Sequence, residues 1–170
     1  MKLKPATIRT DFQSPLGAIV MAATEQGLAG LWFEAQRHFP QDISAQPSDT
    51  SHPVLAQAVA QLSDYFAGQR THFDLPLDLS AGTAFQQSVW QALLAIPMGN
   101  TVSYGEISCQ IGKPSAVRAV GSAIGRNPIS IIVPCHRVLG ADGSLTGYAG
   151  GLIRKSALLK LEGALSESFF

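Results

Sequence analysis

Cys135 and His136 are adjacent in the run IIVPCHRVLG, residues 131–140, and Arg137 follows them. A thiolate rather than a thiol is the nucleophile, so a reactive cysteine needs a base, a cation or a helix N-terminus beside it. His136 and Arg137 make the setting electropositive. Neighbouring side chains point apart, so a water bridging sulfur and imidazole suits this spacing better than a direct pair. A base also wants a third group to orient it. Glu162, in LLKLEG at the end of the last predicted helix, is a candidate whose place in space the sequence leaves open. The same dipeptide is also what a buried cysteine beside a surface histidine looks like. The other cysteine, Cys109, is flanked by Ile107 and Ile111 and reads as a small apolar core residue. Two cysteines, no CxxC and four scattered histidines (His38, His52, His72, His136) provide neither a disulfide framework nor a metal-ligand set. Free thiols in a reducing cytoplasm follow.

The site must be positioned by the elements around it. The strands ATIRTDF and AIVMAAT flank QSPLG, whose Pro15 and Gly17 mark a hairpin, and GLAGLWF adds a third strand to an antiparallel sheet. Residues 36–52 are polar and loop-like. Val54, Leu55, Ala58, Val59, Leu62 and Phe66 recur at helical spacing, with Pro53 at the first position and Gly68 past the end. Residues 70–82 read as an extended linker. A second amphipathic helix begins with Thr83 as its cap, lines one face with Phe85, Val89, Leu93 and Ile96, and ends before Pro97. Ser103 with Glu106 forms a capping box for a short helix, which Gly112, Lys113 and Pro114 break. SAVRAVGSAIG then forms another helix with Ser115 as its cap. Helix, short turn, helix is the helix-turn-helix pattern, though many helical hairpins share it. The apolar run before Pro134 is β-rich and leads into Cys135.

This second helix of the pair is nearly free of bulk, with Ala116, Ala119, Gly121, Ser122, Ala123 and Gly125, and Arg118 is its one long polar side chain before Arg126. Close packing inside the domain explains that pattern, and so does close approach to a nucleic-acid groove. A major-groove reader carries Arg, Asn or Gln to the base edges. A small-residue helix with one arginine suits minor-groove contact, with the arginine as a wedge. Charge is split along the chain. Residues 1–80 hold five Lys/Arg and eight Asp/Glu, a net of −3, and residues 81–170 hold seven and four, a net of +3. An anionic partner for the second half, or chance scatter of few charges, accounts for the split. With 170 residues and 46% hydrophobic composition the chain can bury a core as one domain or two small ones. No apolar run approaches the roughly 18 residues of a membrane span, and the N-terminus lacks the apolar stretch of a signal peptide.

Taken together, these segments closely resemble the O6-alkylguanine-DNA alkyltransferases, also called methylated-DNA–protein-cysteine methyltransferases. The resemblance is carried by AFQQSVWQALLAIPMGNTVSYGEIS, IGKPSAVRAVGSAIGRNPI, IIVPCHRVLGADGSLTGYAGGL and KLEG, over about half the chain, residues 83–163. It implies an α/β N-terminal domain, 1–80, with a small antiparallel sheet. It implies a mostly α C-terminal domain, 81–170, with a winged-helix-like helix-turn-helix that binds DNA and carries the active site. It also implies a reaction: one alkyl group moves from O6 of guanine, and from O4 of thymine, to Cys135 after base flipping, once per protein molecule. No cofactor is implied for the transfer, and the chain has no convincing ligand set for the zinc some members hold. The implied partner is double-stranded DNA containing O6-alkylguanine, gripped through the minor groove by a monomer, with no membrane involved.

Roles follow by resemblance. Cys135 is the acceptor, His136 the base that deprotonates it through a water, and Glu162 the carboxylate orienting His136. Asn127 braces the turn before PCHRV. Tyr104 crowds the target phosphate and donates a proton or hydrogen bond to the leaving guanine. Arg118 fills the gap left by the flipped base, and Ala119 and Ser122 line the same DNA-contacting face. Val138, Tyr148, Ala149 and Gly150, with Gly151, form the base pocket. Ala149 stands where several members carry serine, so a hydroxyl able to bond O6 is absent and backbone N–H groups take that task. Three other readings compete. A non-catalytic alkylated-base binder of this fold carries tryptophan where Cys135 stands. A helix-turn-helix regulator needs base-reading side chains and a dimer interface. A cysteine hydrolase turns over, giving many products per protein.

Overall fold

The structure, a computed structural model, describes residues 2–5 and 7–166. It divides into two compact units: residues 1–81 with 128–130, and residues 82–127 with 131–170. Ala6, with which the first predicted strand begins, lies outside the described residues.

In the first unit β1 (Ile8–Ser14), β2 (Gly17–Thr24) and β3 (Gly27–Phe33) form an antiparallel meander. The β1–β2 register runs from Ile8 opposite Ala23 to Ser14 opposite Gly17. β2 is buried on both faces, which is why it reads as a nearly unbroken apolar run rather than an alternating one. On one face, α1 (Pro53–Phe66) packs Leu55, Ala58, Leu62 and Tyr65 inward, and Phe66 stacks on Phe12 with centroids 6.5 Å apart. On the other, Val20, Ala22, Trp32 and Ile43 cluster, with Phe39 edge-on to Trp32.

Two stretches expected to be irregular are pinned to this sheet. The polar segment after β3 contains a 3-10 turn, Ile43–Ala45, and pairs Ser48 beside Arg9. The expected linker pairs Leu77 beside Leu28, through Leu28 N–H to the Pro76 carbonyl at 2.8 Å and Asp78 N–H to the Leu28 carbonyl at 2.7 Å. Gly27 allows that approach: its φ is +144°, and a Cβ there would lie 2.4 Å from the Pro76 oxygen. Asp78, 4% exposed, then accepts from Thr24 at 2.6 Å and from Lys4 at 3.1 Å. Burial raises its pKa, but the hydrogen bonds from Ser80, Thr24 and Lys4 outweigh that and hold it well below the usual carboxylate range. Polar spacing hides such a segment from a periodicity reading, because single bridges and side-chain anchors need no apolar repeat.

In the second unit α2 (Ala84–Leu94) opens with a complete capping box. Gln86 N–H donates to Thr83 Oγ1 at 3.1 Å, and Thr83 N–H donates to Gln86 Oε1 at 2.9 Å. Val89, Leu93 and Ile96 are buried as the spacing predicts, while Phe85 is only half-buried, with the Lys113 ammonium 5.9 Å from its ring centroid. α3 (Tyr104–Gln110) has the predicted Ser103–Glu106 capping box. The chain leaves α3 through residues 111–116, and α4 (Val117–Gly125) packs on both α2 and α3. Ser115 does not cap α4. The N-cap is Ala116, without a side-chain hydrogen bond, and the turn is closed instead by Ala116 N–H to Lys113 carbonyl at 2.9 Å. Trp90 ties α2 to α4, its Nε1–H donating to the Ala123 carbonyl at 2.8 Å. β4 (Val102–Ser103) pairs parallel with β5 (Val138–Leu139), and α5 (Leu152–Leu161) closes the unit. Among the described residues, no helix is long and apolar enough to cross a membrane.

Cys109 is exposed and does not belong to the core. In a short helix the burial stripe is set by 3.6-residue geometry, and Ile107 and Ser108 take the inward positions, so the next residue turns outward.

Candidate active site

The residues before Cys135 do not form a strand. Ile129 makes one bridge to Leu31, and Ile131 then adopts φ +71°. A β-branched residue in the left-handed region costs about 1–3 kcal/mol, and such strain persists only where the surroundings impose it. Pro134, at φ −82° and ψ +63°, centres an inverse γ-turn in which Cys135 N–H donates to the Val133 carbonyl at 2.8 Å. Asn127 Nδ2 donates to that same carbonyl at 2.7 Å. The predicted brace is thus in contact with the turn. Cys135–Arg137 follows as a single 3-10 turn, with Cys135 6% exposed and His136 fully buried.

Glu162 reaches His136 because α5 stops at one place. Glu162 is its C-cap, Gly163 has φ +77°, Ala164 N–H bonds the Leu159 carbonyl at 2.8 Å, and Gly163 N–H bonds Lys160 at 3.0 Å. This is a Schellman ending, and the glycine of KLEG makes it possible. Glu162 Oε1 lies 2.7 Å from His136 Nε2. Arg137 grips the same carboxylate through Nε to Oε2 and Nη2 to Oε1, both at 2.9 Å, and donates from Nη1 to the Ile96 carbonyl at 2.6 Å. Burial alone raises the Glu162 pKa, but the hydrogen bonds from His136 and Arg137 prevail and hold it at about 2.

The two-pronged grip of the Arg137 guanidinium on both oxygens keeps this carboxylate ionised and so decides the imidazole tautomer. A deprotonated carboxylate only accepts, so Nε2 carries the hydrogen and Nδ1 keeps its lone pair. Nδ1 is buried and has no hydrogen-bond partner. Burial, ahead of the opposing pull of Glu162, lowers the His136 pKa, so the ring is a neutral base at neutral pH. Burial also pushes the Cys135 thiol up, while the Asn127 amide and the Lys155 charge pull it down. The arrangement is a resting thiol beside a neutral base whose outer nitrogen is locked by an ionised carboxylate.

Lys155 is a residue the sequence reading missed. It is fully buried, and its ammonium donates to the carbonyls of Val138, Thr146 and Gly147 at 2.6, 2.8 and 3.2 Å. Burial lowers its pKa to about 8. The available signal was its register: Lys155, Leu158, Leu159 and Glu162 fall at i, i+3, i+4 and i+7 on α5, one inward stripe. Arg137 was noted only as a neighbouring charge, and its clamp on Glu162 depends on a residue 25 positions away.

The remaining predicted residues divide by place. Tyr104 opens α3 and donates from its hydroxyl to the Thr146 carbonyl at 3.1 Å. It stands beside Gly121 of α4 and Gly147 of the following loop. Val138, expected in the base pocket, is buried and has its carbonyl held by Lys155. Tyr148 and Ala149 are half-buried and Gly150 is buried, in the turn that Gly151 N–H closes on the Tyr148 carbonyl at 2.9 Å. Arg118, Ala119 and Ser122 are exposed on α4, opposite Val120, Ala123 and Ile124, which are buried. Close internal packing therefore does not explain the small residues of that outer face. A cavity of about 370 Å³ in this unit, lined by Ile96, Asn100, Thr101 and Gln110 among others, contains none of the predicted site residues. Among the described residues, no group of three or more His, Cys, Asp or Glu side chains is placed to hold a metal.

Residues 8–79 match the family described as 6-O-methylguanine DNA methyltransferase, ribonuclease-like domain, and residues 84–164 match 6-O-methylguanine DNA methyltransferase, DNA binding domain. The methylated-DNA–protein-cysteine methyltransferase of Mycobacterium leprae is 53% identical over 152 residues, 89% of this chain and 90% of its own. The enzyme of that name from Methanosarcina acetivorans is 50% identical over 90% of this chain and 96% of its own. The crystal structure of the Mycobacterium tuberculosis O6-methylguanine methyltransferase superposes with a TM-score of 0.84 at 49% identity, covering 95% of this chain and 96% of that one. The Mycobacterium tuberculosis OGT crystallised in complex with DNA gives 0.81 at 51% identity, covering 93% and 92%.

Proposed function

The chain belongs to the methylated-DNA–protein-cysteine methyltransferase family, and on that premise we propose that it repairs DNA by moving one alkyl group from O6 of guanine, or O4 of thymine, to Cys135. The observation that carries this reading is the buried chain Arg137–Glu162–His136, which leaves His136 Nδ1 as an unpartnered base one residue from the only buried cysteine.

The target carbon is inside the duplex stack, so the base must first leave it. Flipping costs a few kcal/mol, less for a weakened O6-alkylguanine pair. The protein, acting as a monomer in the cytoplasm, enters the minor groove with α4. The small outer face of Ala119 and Ser122 allows close approach, and Arg118 fills the vacated space. Val138, Tyr148, Ala149 and Gly150 enclose the extruded base, with backbone N–H groups in place of the hydroxyl that Ala149 lacks.

His136 Nδ1 accepts the Cys135 proton through one water, and Glu162 supports the imidazolium that forms. The thiolate attacks the alkyl carbon in line. The S–C bond forms as the C–O6 bond breaks, and guanine leaves as an anion. Tyr104 exchanges its hydrogen bond to Thr146 for one to the departing base and so stabilises its negative charge, and the proton taken from Cys135 is the one that finally neutralises the base. The thioether is stable, so each molecule acts once. No cofactor takes part.

Two measurements test this. Incubation with O6-methylguanine DNA adds the mass of one methylene to the peptide containing Cys135, at one equivalent per protein; many demethylated bases per protein would overturn the single-turnover reading. Arg118→Ala slows repair of duplex DNA by about 10-fold or more, a loss of roughly 1–3 kcal/mol, yet reacts normally with free O6-alkylguanine base. Equal losses on both substrates would remove Arg118 from the flipping step.

A further inference from the structure

Lys155 is a fully buried ammonium, and all three of its hydrogen bonds go to neutral backbone carbonyls. Among the described residues it has no carboxylate partner. A buried charge without a counter-charge is expensive, and proteins ordinarily pair it. The other charges of this site are already matched: Glu162 is paired with Arg137, and His136 is neutral. With Cys135 as a thiol, the buried cluster therefore carries one positive charge in excess. Lys155 is placed at this turn by its bond to the Val138 carbonyl, three residues past Cys135, and by the packing of α5 on the Cys135–Arg137 turn, while the Tyr104 hydroxyl shares the Thr146 carbonyl with it. Its charge bears on Cys135 and His136. Arg137 and Glu162 stand behind His136. Arg154, next along α5, turns to the Gly150 carbonyl at 3.1 Å. Of these, Cys135 is the group that becomes an anion in the proposed reaction, and its thiolate would supply the missing negative charge.

We propose that Lys155 is the counterion of the Cys135 thiolate. Ionising the sulfur completes a buried ion pair, and the His136–Glu162–Arg137 chain serves to carry the proton away. The same cation fastens the Val138 strand to the loop at Thr146 and Gly147, so the charge and the pocket loop are held together. Once Cys135 is alkylated its sulfur is neutral, and Lys155 is left with carbonyls alone. This inference rests on Cys135 as the ionising acceptor.

The test uses the full chain and iodoacetamide, which joins its carbon to a thiolate sulfur and releases iodide. Rates at the Cys135 peptide are read by mass spectrometry against pH, with exposed Cys109 as the reference in the same molecule. Lys155→Met slows Cys135 modification at neutral pH by about tenfold or more and raises its midpoint by about one pH unit or more. Lys155→Arg keeps the wild-type midpoint, and Cys109 is unmoved in both. A folded Lys155→Met with an unshifted Cys135 profile, or equal shifts in the Met and Arg variants, would overturn the proposal. A measurement on the wild type covers the case in which Lys155→Met does not fold. With ¹⁵N-labelled lysine followed by NMR, blocking Cys135 with iodoacetamide lowers the pH at which Lys155 loses its proton; an unmoved midpoint sinks the idea. Neither experiment uses DNA. A protein that shows both effects but takes no methyl group from O6-methylguanine DNA would defeat the repair reading alone.

Discussion

Cys135→Ala abolishes alkyl transfer completely and leaves DNA affinity within a few-fold of wild type. The sulfur is the only atom in the site that can form the new bond, and no neighbouring group substitutes for it. His136 Nδ1 carries a lone pair, but the residue is fully buried. Cys109 is exposed on α3, a position that takes no part in the cluster. The proposed DNA contact is the outer face of α4, where Arg118, Ala119 and Ser122 are exposed, so removing one buried sulfur is expected to leave it unaltered. The truncation also leaves only a small void, worth about 1 kcal/mol of stability. The variant is thus a folded, binding-competent and chemically silent protein. Methyl transfer followed by mass, with duplex binding followed by gel shift, checks both halves. Transfer persisting in Cys135→Ala would end the assignment of the acceptor.

Arg137→Ala produces the largest loss of stability expected from a single site substitution. It removes two hydrogen bonds from Glu162 and one from the Ile96 carbonyl, all within a buried cluster. Breaking a buried pair by deleting one partner costs about 3–5 kcal/mol, because the remaining charge is left uncompensated. The pH dependence identifies the cause. In the wild type Glu162 has its carboxyl at about 2 when folded, below its ordinary 4.5. Its contribution is complete above about pH 4.5 and is lost as pH falls toward 2. Without Arg137 the hydrogen bond to His136 remains but two of the causes that oppose burial are gone, so the folded carboxyl rises and this acid limb shrinks. Urea unfolding of both proteins between pH 2 and 7 measures the difference.

Activity falls with it. A Glu162 carboxyl that gains a proton donates to His136 Nε2, which moves the ring hydrogen to Nδ1 and removes the lone pair that the proposed mechanism uses. General-base loss of this kind costs about 10²-fold or more in the single-turnover rate. Arg137→Lys keeps the charge without the two-pronged grip and falls between the two. An Arg137→Ala protein as stable and as fast as wild type would show that the clamp has no part in holding His136.

Local chemistry was legible where the cause is local. The capping boxes at Thr83 and Ser103, the helix start at Pro53 and the three strands rest on propensities and hydrogen bonds spanning a few residues, and they stand where the sequence puts them. Ser115 failed as a cap because Ala116, one residue later, begins the helix, and terminal positions depend on how the preceding turn closes. Cys109 was misplaced because flanking apolar residues do not reveal which way a seven-residue helix faces. The run before Pro134 is β-rich and buried, but propensity cannot foresee that Ile131 is forced to positive φ.

The identity of the reacting atoms lies in the order of residues: a cysteine, a histidine and an arginine in succession, and a glutamate before the glycine that ends the last helix. Their electrical state lies in the fold. Whether His136 is a neutral base, which of its nitrogens is free, and whether a buried ammonium stands near Cys135 depend on contacts between residues 17 to 41 positions apart. Desolvation and Coulomb energies follow distance in space and exposure to water, and a linear string carries neither.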